Sequence, residues 1–119
     1  MKLLSWNAHG LGNPQGIRIL HDLVKKEVPS ILFLQETKLH VREFEKCKYL
    51  LGFTNCLVVG CVGSSEGIAI LWSKDINLVV LKYSKYHIDT CIKEVKGTWY
   101  IMGRMGIQKQ ILDMKLGRC

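Results

Sequence analysis

Residues 30–39 read "SILFLQETKL". The apolar run Ile31-Leu32-Phe33-Leu34 is too short for a helix, follows Pro29 and gives way at once to polar residues, which suits a strand covered on both faces. Glu36 stands at the exit of that strand.

Upstream, Lys2 to Trp6 is a short apolar run ending at Asn7, and Gly10 and Gly12 punctuate the loop that follows. The stretch "NPQGIRILHDLVKKEV" begins with Asn13 as an N-cap and Pro14 at the first helical position, and Ile17, Leu20, Val24 and Val28 recur at helical spacing. Lys25 and Lys26 in the last turn suit the macrodipole, and Pro29 stops the helix. The opening unit is therefore strand, helix, strand, with the helix packed on a sheet.

Downstream, Val41 to Leu51 reads as a second helix, charged on one side and ended by Gly52. Five β-rich stretches then follow: "TNCLVVGCV", "GIAILWS", "INLVVLKYS", "HIDTCIKEV" and "TWYIMGR". The segments between them, "GSSEG", "KD", "KY" and "KG", predict neighbouring antiparallel strands joined by hairpin-like connections. The tail "GIQKQILDMKLGRC" reads as a weak helix or a frayed end with no strong terminator, as in a chain cut off. No internal repeat, low-complexity tract or linker interrupts residues 1–119, so a single domain is expected.

A chain of 119 residues with 48% hydrophobic content suits one globular domain and argues against disorder. Seventeen Lys and Arg against ten Asp and Glu give a formal charge of +7, which favours an anionic partner such as nucleic acid but bears on association, not on fold. The five cysteines are odd in number and lack zinc-site spacing, so reduced thiols in an intracellular protein are the simplest account. "MKLLSWNAHG" holds too short an apolar run for a signal peptide, and no run approaches the roughly 18 apolar residues that a membrane helix needs. A soluble chain with no membrane partner is expected.

Three features then align. "LLSWNAHGLGNP", "ILFLQETKL" and "EGIAILWS" followed by "YHIDTCI" resemble the endonuclease/exonuclease/phosphatase superfamily, of exonuclease III and pancreatic DNase type. The resemblance is closest to the endonuclease domain of plant LINE-type, non-LTR retrotransposons, and it spans nearly the whole chain. It implies an α+β fold: part of a four-layer α/β-sandwich, with a strand-helix-strand opening followed by mainly antiparallel strands. In that family the first strand delivers an asparagine and the second a glutamate to one end of a two-sheet sandwich, at a divalent-metal and phosphate site. The matching positions are Asn7 and Glu36, which the resemblance makes both catalytic and metal-site residues. The implied cofactor is Mg2+ or Mn2+, the substrate DNA and the location the nucleus.

The residue types suit that chemistry. Hydrolysis of a phosphodiester needs charge neutralised on a non-bridging oxygen and on the leaving oxygen, which a hard divalent ion can do. Magnesium keeps several waters, so one or two carboxylates suffice to hold it. An uncharged amide at Asn7 orients a ligand or a phosphate oxygen without adding a second negative charge. Lys38, His9 and Arg18 lie near these motifs and would add phosphate contacts.

Plainer readings stand beside these. A glutamate after a strand is most often a solvated loop residue, and Asn7 also suits a turn that bonds its own backbone. His87 reads equally as a strand histidine with a satisfied partner. Trp6, Trp72 and Trp99 sit among alternating apolar residues, as core tryptophans do. Lys82, Lys85, Lys93 and Lys96 suit a solvated face that keeps a sheet edge soluble, ahead of a phosphate-binding role.

The chain also departs from the family. Single sandwich domains commonly run to roughly twice this length, so residues 1–119 are expected to be the N-terminal half of the domain. The later motifs, an Asp and Asn around the attacking water and a final Asp-His pair, are not found beyond Met105. Relatives carry a tyrosine where Met105 precedes Gly106, and a thioether cannot replace that hydroxyl donor. Because the parts of such a site act as one unit, losing several leaves little rate acceleration. The half-sandwich is further expected to expose an apolar sheet face and to self-associate through it. Two readings follow: a metal-dependent DNA phosphodiesterase, or a non-catalytic remnant that binds nucleic acid through its charge. An inositol-phosphatase-like relative, which shares the fold, ranks below both because "SWNAHGLGNP" resembles the retroelement branch more closely.

Overall fold

The computed structural model describes residues 1–60, 66–104 and 109–113. Its opening unit is β1 (Lys2–Asn7), α1 (Pro14–Glu27) and β2 (Ile31–Gln35). The helix starts where its cap chemistry dictates: the Asn13 side chain accepts a hydrogen bond from the Gly16 N–H at 2.7 Å, and Pro14 follows at the first turn. Its end comes one residue earlier than the periodicity suggests. Val28 is the C-cap, left-handed at φ 48° and 75% exposed, and does not belong to the packed stripe. The cause is Pro29, which disfavours the right-handed helical region for the residue before it.

The crossover through α1 makes β1 and β2 parallel, paired from Leu3 with Ile31 to Asn7 with Gln35. Their C-terminal ends therefore reach the same edge of the sheet. Helix α2 (Val41–Leu51) runs over the predicted residues, opened by a hydrogen bond from His40 N–H to Glu43 Oε1 at 3.0 Å and closed by Gly52 at φ 80°. The five β-rich stretches all form strands: β3 (Asn55–Val59), β4 (Ile68–Trp72), β5 (Leu78–Tyr83), β6 (His87–Glu94) and β7 (Gly97–Arg104). A last strand, β8 (Lys109–Asp113), corrects the expectation of a weak helix or frayed tail. It pairs antiparallel with β1. The outer edge of β1 offers a row of backbone donors and acceptors, and satisfying them outweighs a weak helical periodicity.

The strands form two sheets, one in the order β3-β4-β2-β1-β8 and one in the order β5-β6-β7. The connection at Lys74-Asp75 is therefore not a hairpin turn. Strand β4 is flanked by β2 and β3, so neither of its edges is free, and the chain must leave for the second sheet.

Side chains alternate across the first sheet. Leu4, Leu32, Leu34, Ala69 and Leu71 face the helices, with Leu20 of α1 and Phe44 and Cys47 of α2. Leu3, Ile31, Phe33, Ile68 and Ile70 face the second sheet, where they meet Leu78, Ile88 and Ile92. Every residue of β2 is buried, as its run of apolar residues requires. The tryptophans take core positions, Trp6 against the helix-side cluster and Trp72 and Trp99 between the sheets. Approach of the sheets is close enough that a Cβ on Gly103 would lie 2.6 Å from the Phe33 ring.

The inner face of the first sheet is thus covered, contrary to the expected exposure. Exposed apolar side chains stand instead on the outside of the second sheet, where Val79, Tyr100 and Met102 lie on β5 and β7, and on the helices, at Ile19, Val41, Tyr49 and Leu50. No helix of the described residues is long and apolar enough to cross a membrane.

Candidate functional site

The shared end of β1 and β2 continues as two loops held side by side. Ala8 N–H donates to the Gln35 carbonyl at 2.8 Å, Gly10 N–H to the Glu36 carbonyl at 2.8 Å and Leu11 N–H to the Thr37 carbonyl at 2.9 Å. Within this short stretch three non-glycine residues are left-handed: His9 at φ 50°, Glu36 at φ 50° and Lys38 at φ 54°. Each such residue costs about 1 kcal/mol or more and persists only where its surroundings enforce it, a condition common at functional sites. The Lys38 side chain runs across Gly10, where an added Cβ would lie 3.3 Å from its Cδ, and Gly10 itself is at φ 88°. Glycine suits that position on both counts.

Asn7 and Glu36 are brought together here. The Asn7 side chain is buried, its Oδ1 accepts from the His9 N–H at 2.9 Å, and its Nδ2 donates to Glu36 Oε2. One amide thus serves as both turn former and carboxylate clamp. Glu36 is half-exposed. The bond from Asn7 is the largest influence that holds its carboxyl below the usual glutamate value, followed by a side-chain bond with Glu66. Desolvation opposes these two, and the charges of His9 and Lys38 add to them.

The third segment at this edge precedes β4. Lys38 N–H donates to the Glu66 carbonyl at 2.8 Å and Thr37 N–H to the Gly67 carbonyl at 3.2 Å, which docks residues 66–67 beside Glu36. The carboxyl of Glu66 carried no sequence signal beyond opening the "EGIAILWS" stretch.

Other candidates lie elsewhere. Arg18 lines a hollow of about 220 Å³ with Pro14, Ile17, His21 and Leu50, and a second hollow of about 200 Å³ also lacks Asn7 and Glu36. His87 sits on the second sheet, its Nδ1 2.5 Å from Ser84 Oγ and its Nε2 3.7 Å from Asp89. It has the local partners of a strand histidine. Lys82 reaches Asp89 at 4.0 Å, while Lys85, Lys93 and Lys96 are exposed. Met105 lies outside the described residues.

The donor set at the edge fits a hard divalent cation. It consists of carboxylate oxygens, since Asn7 Oδ1 already accepts from the His9 N–H and its Nδ2 faces Glu36, and the fully buried Thr37 hydroxyl next to Glu36 has no hydrogen-bond partner among the described residues. Among those residues no three His, Cys, Asp or Glu side chains converge as a closed metal cage. A magnesium-type ion that retains several waters does not need one.

Comparison with known proteins agrees with this fold. The model of the Endonuclease/Exonuclease/phosphatase family matches residues 4–107. An AP endonuclease from Leishmania major superposes with a TM-score of 0.62 at 18% identity, over 87% of this chain and 39% of its own. A 3' phosphatase from Neisseria bound to product DNA hairpin gives 0.61 at 20% identity, over 88% and 41%. The endonuclease domain of TRAS1, a telomere-specific non-LTR retrotransposon, gives 0.55 at 9% identity, over 87% and 43%. At these identities the likeness is one of fold, and the chain spans about two-fifths of the length of each. No curated protein sequence matches.

Proposed function

Because the chain belongs to the endonuclease/exonuclease/phosphatase family, we propose that it supplies the metal-holding wall of a divalent-metal-dependent phosphodiesterase acting on DNA. Glu36 is the metal carboxylate in this reading, and Asn7 is the residue that orients it. The observation that carries the reading is the clamp: one buried amide fixes the Glu36 carboxylate at the exposed end of two parallel strands, beside the charges of His9 and Lys38.

When bound, Mg2+ or Mn2+ supplies charge neutralisation on the non-bridging and leaving oxygens of the phosphodiester. The chain's own groups do the rest. Glu36 presents an oxygen ligand, Asn7 holds its direction without adding charge, and His9 and Lys38 attract the phosphate. The cluster holds and positions, and the His87–Asp89 pair on the second sheet is engaged with its own neighbours, Ser84 and Lys82. A single clamped carboxylate is not a full catalytic set, so these residues by themselves bind DNA with little or no turnover, in the manner of a non-catalytic retroelement endonuclease relative. The "SWNAHGLGNP" opening supports the retroelement branch over an inositol phosphatase.

The test is nicking of supercoiled plasmid in Mg2+ and in Mn2+, with Glu36→Ala purified identically as the control for contaminating nuclease. The expected outcome is no cleavage above that control. Cleavage that Glu36→Ala abolishes would show a complete catalytic site and overturn the low-turnover reading.

A further inference from the structure

Strand pairing sets Glu36 in the middle of three segments. Residues 8–11 lie on one side, joined through the Gly10 and Leu11 N–H groups, and residues 66–67 lie on the other, joined through the Thr37 and Lys38 N–H groups. Backbone bonds thus hold the main chain of Glu66 beside residues 36–38. Its side chain is half-buried and meets the Glu36 carboxyl directly. None of the ion pairs among the described residues involves Glu66. A hydrogen bond between two carboxyls needs a shared proton, and a divalent cation between them takes the place of that proton.

The geometry points to Glu66 as a second carboxylate for the divalent cation held at Glu36. This rests on the reading of Glu36 as a metal carboxylate. It assigns a role to a residue from a different strand, so that cation binding ties the end of β2 to the start of β4. A pair of carboxylates with an amide-held orientation is the donor count that a magnesium-type ion, keeping its remaining waters, accepts. The left-handed backbone at Glu36 and Lys38 then has a purpose: it turns the chain so that Glu36 faces Glu66 while the Lys38 N–H still reaches the Glu66 carbonyl.

The experiment is a Mn2+ titration of the full chain without DNA, followed by electron paramagnetic resonance of the free ion, on the parent, Glu36→Gln and Glu66→Gln. Thermal melts of each, in chelator and in Mn2+, accompany it. Glu66→Gln is expected to weaken Mn2+ binding on the order of tenfold or more. In chelator it should melt close to the parent temperature, because an amide at position 66 can donate to the Glu36 carboxylate without a shared proton. That melt also shows that the variant is folded. Mn2+ should raise the parent midpoint more than that of Glu66→Gln. Parent-like binding by Glu66→Gln, with binding lost in Glu36→Gln, would overturn the role of Glu66 and leave the metal carboxylate at Glu36 intact. Absence of Mn2+ binding by the parent would overturn both.

Discussion

Asn7 divides one amide between two partners, the His9 N–H and the Glu36 carboxylate, and this division carries the electrostatics of the edge. The folded state lowers the Glu36 pKa, so it favours the charged form. The resulting stability is fully present above the ordinary glutamate range, about pH 4.3, and is lost as the pH falls through the lower folded value. Asn7→Ala removes the largest cause. In urea denaturation at a series of pH values, the parent should exceed Asn7→Ala most near neutrality. The gap should narrow below about pH 4 to the pH-independent loss of the bond to His9. A gap that is constant across the range would contradict the clamp. Asn7 and Glu36 were legible in the sequence because each closes an apolar run and falls within a motif that resembles a known family. Glu66 was not, because its proximity to Glu36 depends on β4 pairing antiparallel with β2, which no local spacing encodes.

At the scale of elements, caps and breakers were legible and pairing partners were not. Asn13, Pro14 and Gly52 mark helix ends because their effects are local. Lys74-Asp75 looked like a hairpin because a short polar connector says nothing about whether the preceding strand has a free edge. Strand β8 was misread for the matching reason: its partner, β1, lies at the other end of the chain. Val28 offers a clean test of the cap. It is β-branched, left-handed and 75% exposed, so its side chain contributes little packing while its backbone is strained. Val28→Gly should stabilise the protein by about 0.5–1 kcal/mol, read as a raised urea midpoint at unchanged slope. A lowered midpoint would mean that the helix does not end in a left-handed cap in solution.

At the scale of the whole molecule, the two sheets and two helices serve mainly to hold one edge open to solvent. The first sheet is clamped between α1 and α2 on one face and β5-β6-β7 on the other, and Phe33 packs against the bare backbone of Gly103 where the sheets meet. That packing makes the ends of β1 and β2 a rigid base for a strained pair of loops. The formal charge of +7 gives the molecule a general attraction for DNA that must weaken as salt rises. General attraction would not depend on Glu36, which makes the two contributions separable. The most direct measurement is therefore the affinity of the parent and of Glu36→Ala for duplex DNA at fixed salt, in chelator and in Mn2+. The account predicts that Mn2+ tightens binding by the parent and leaves Glu36→Ala unchanged. An equal gain for both proteins would contradict the assignment of the cation site to the Asn7–Glu36 edge.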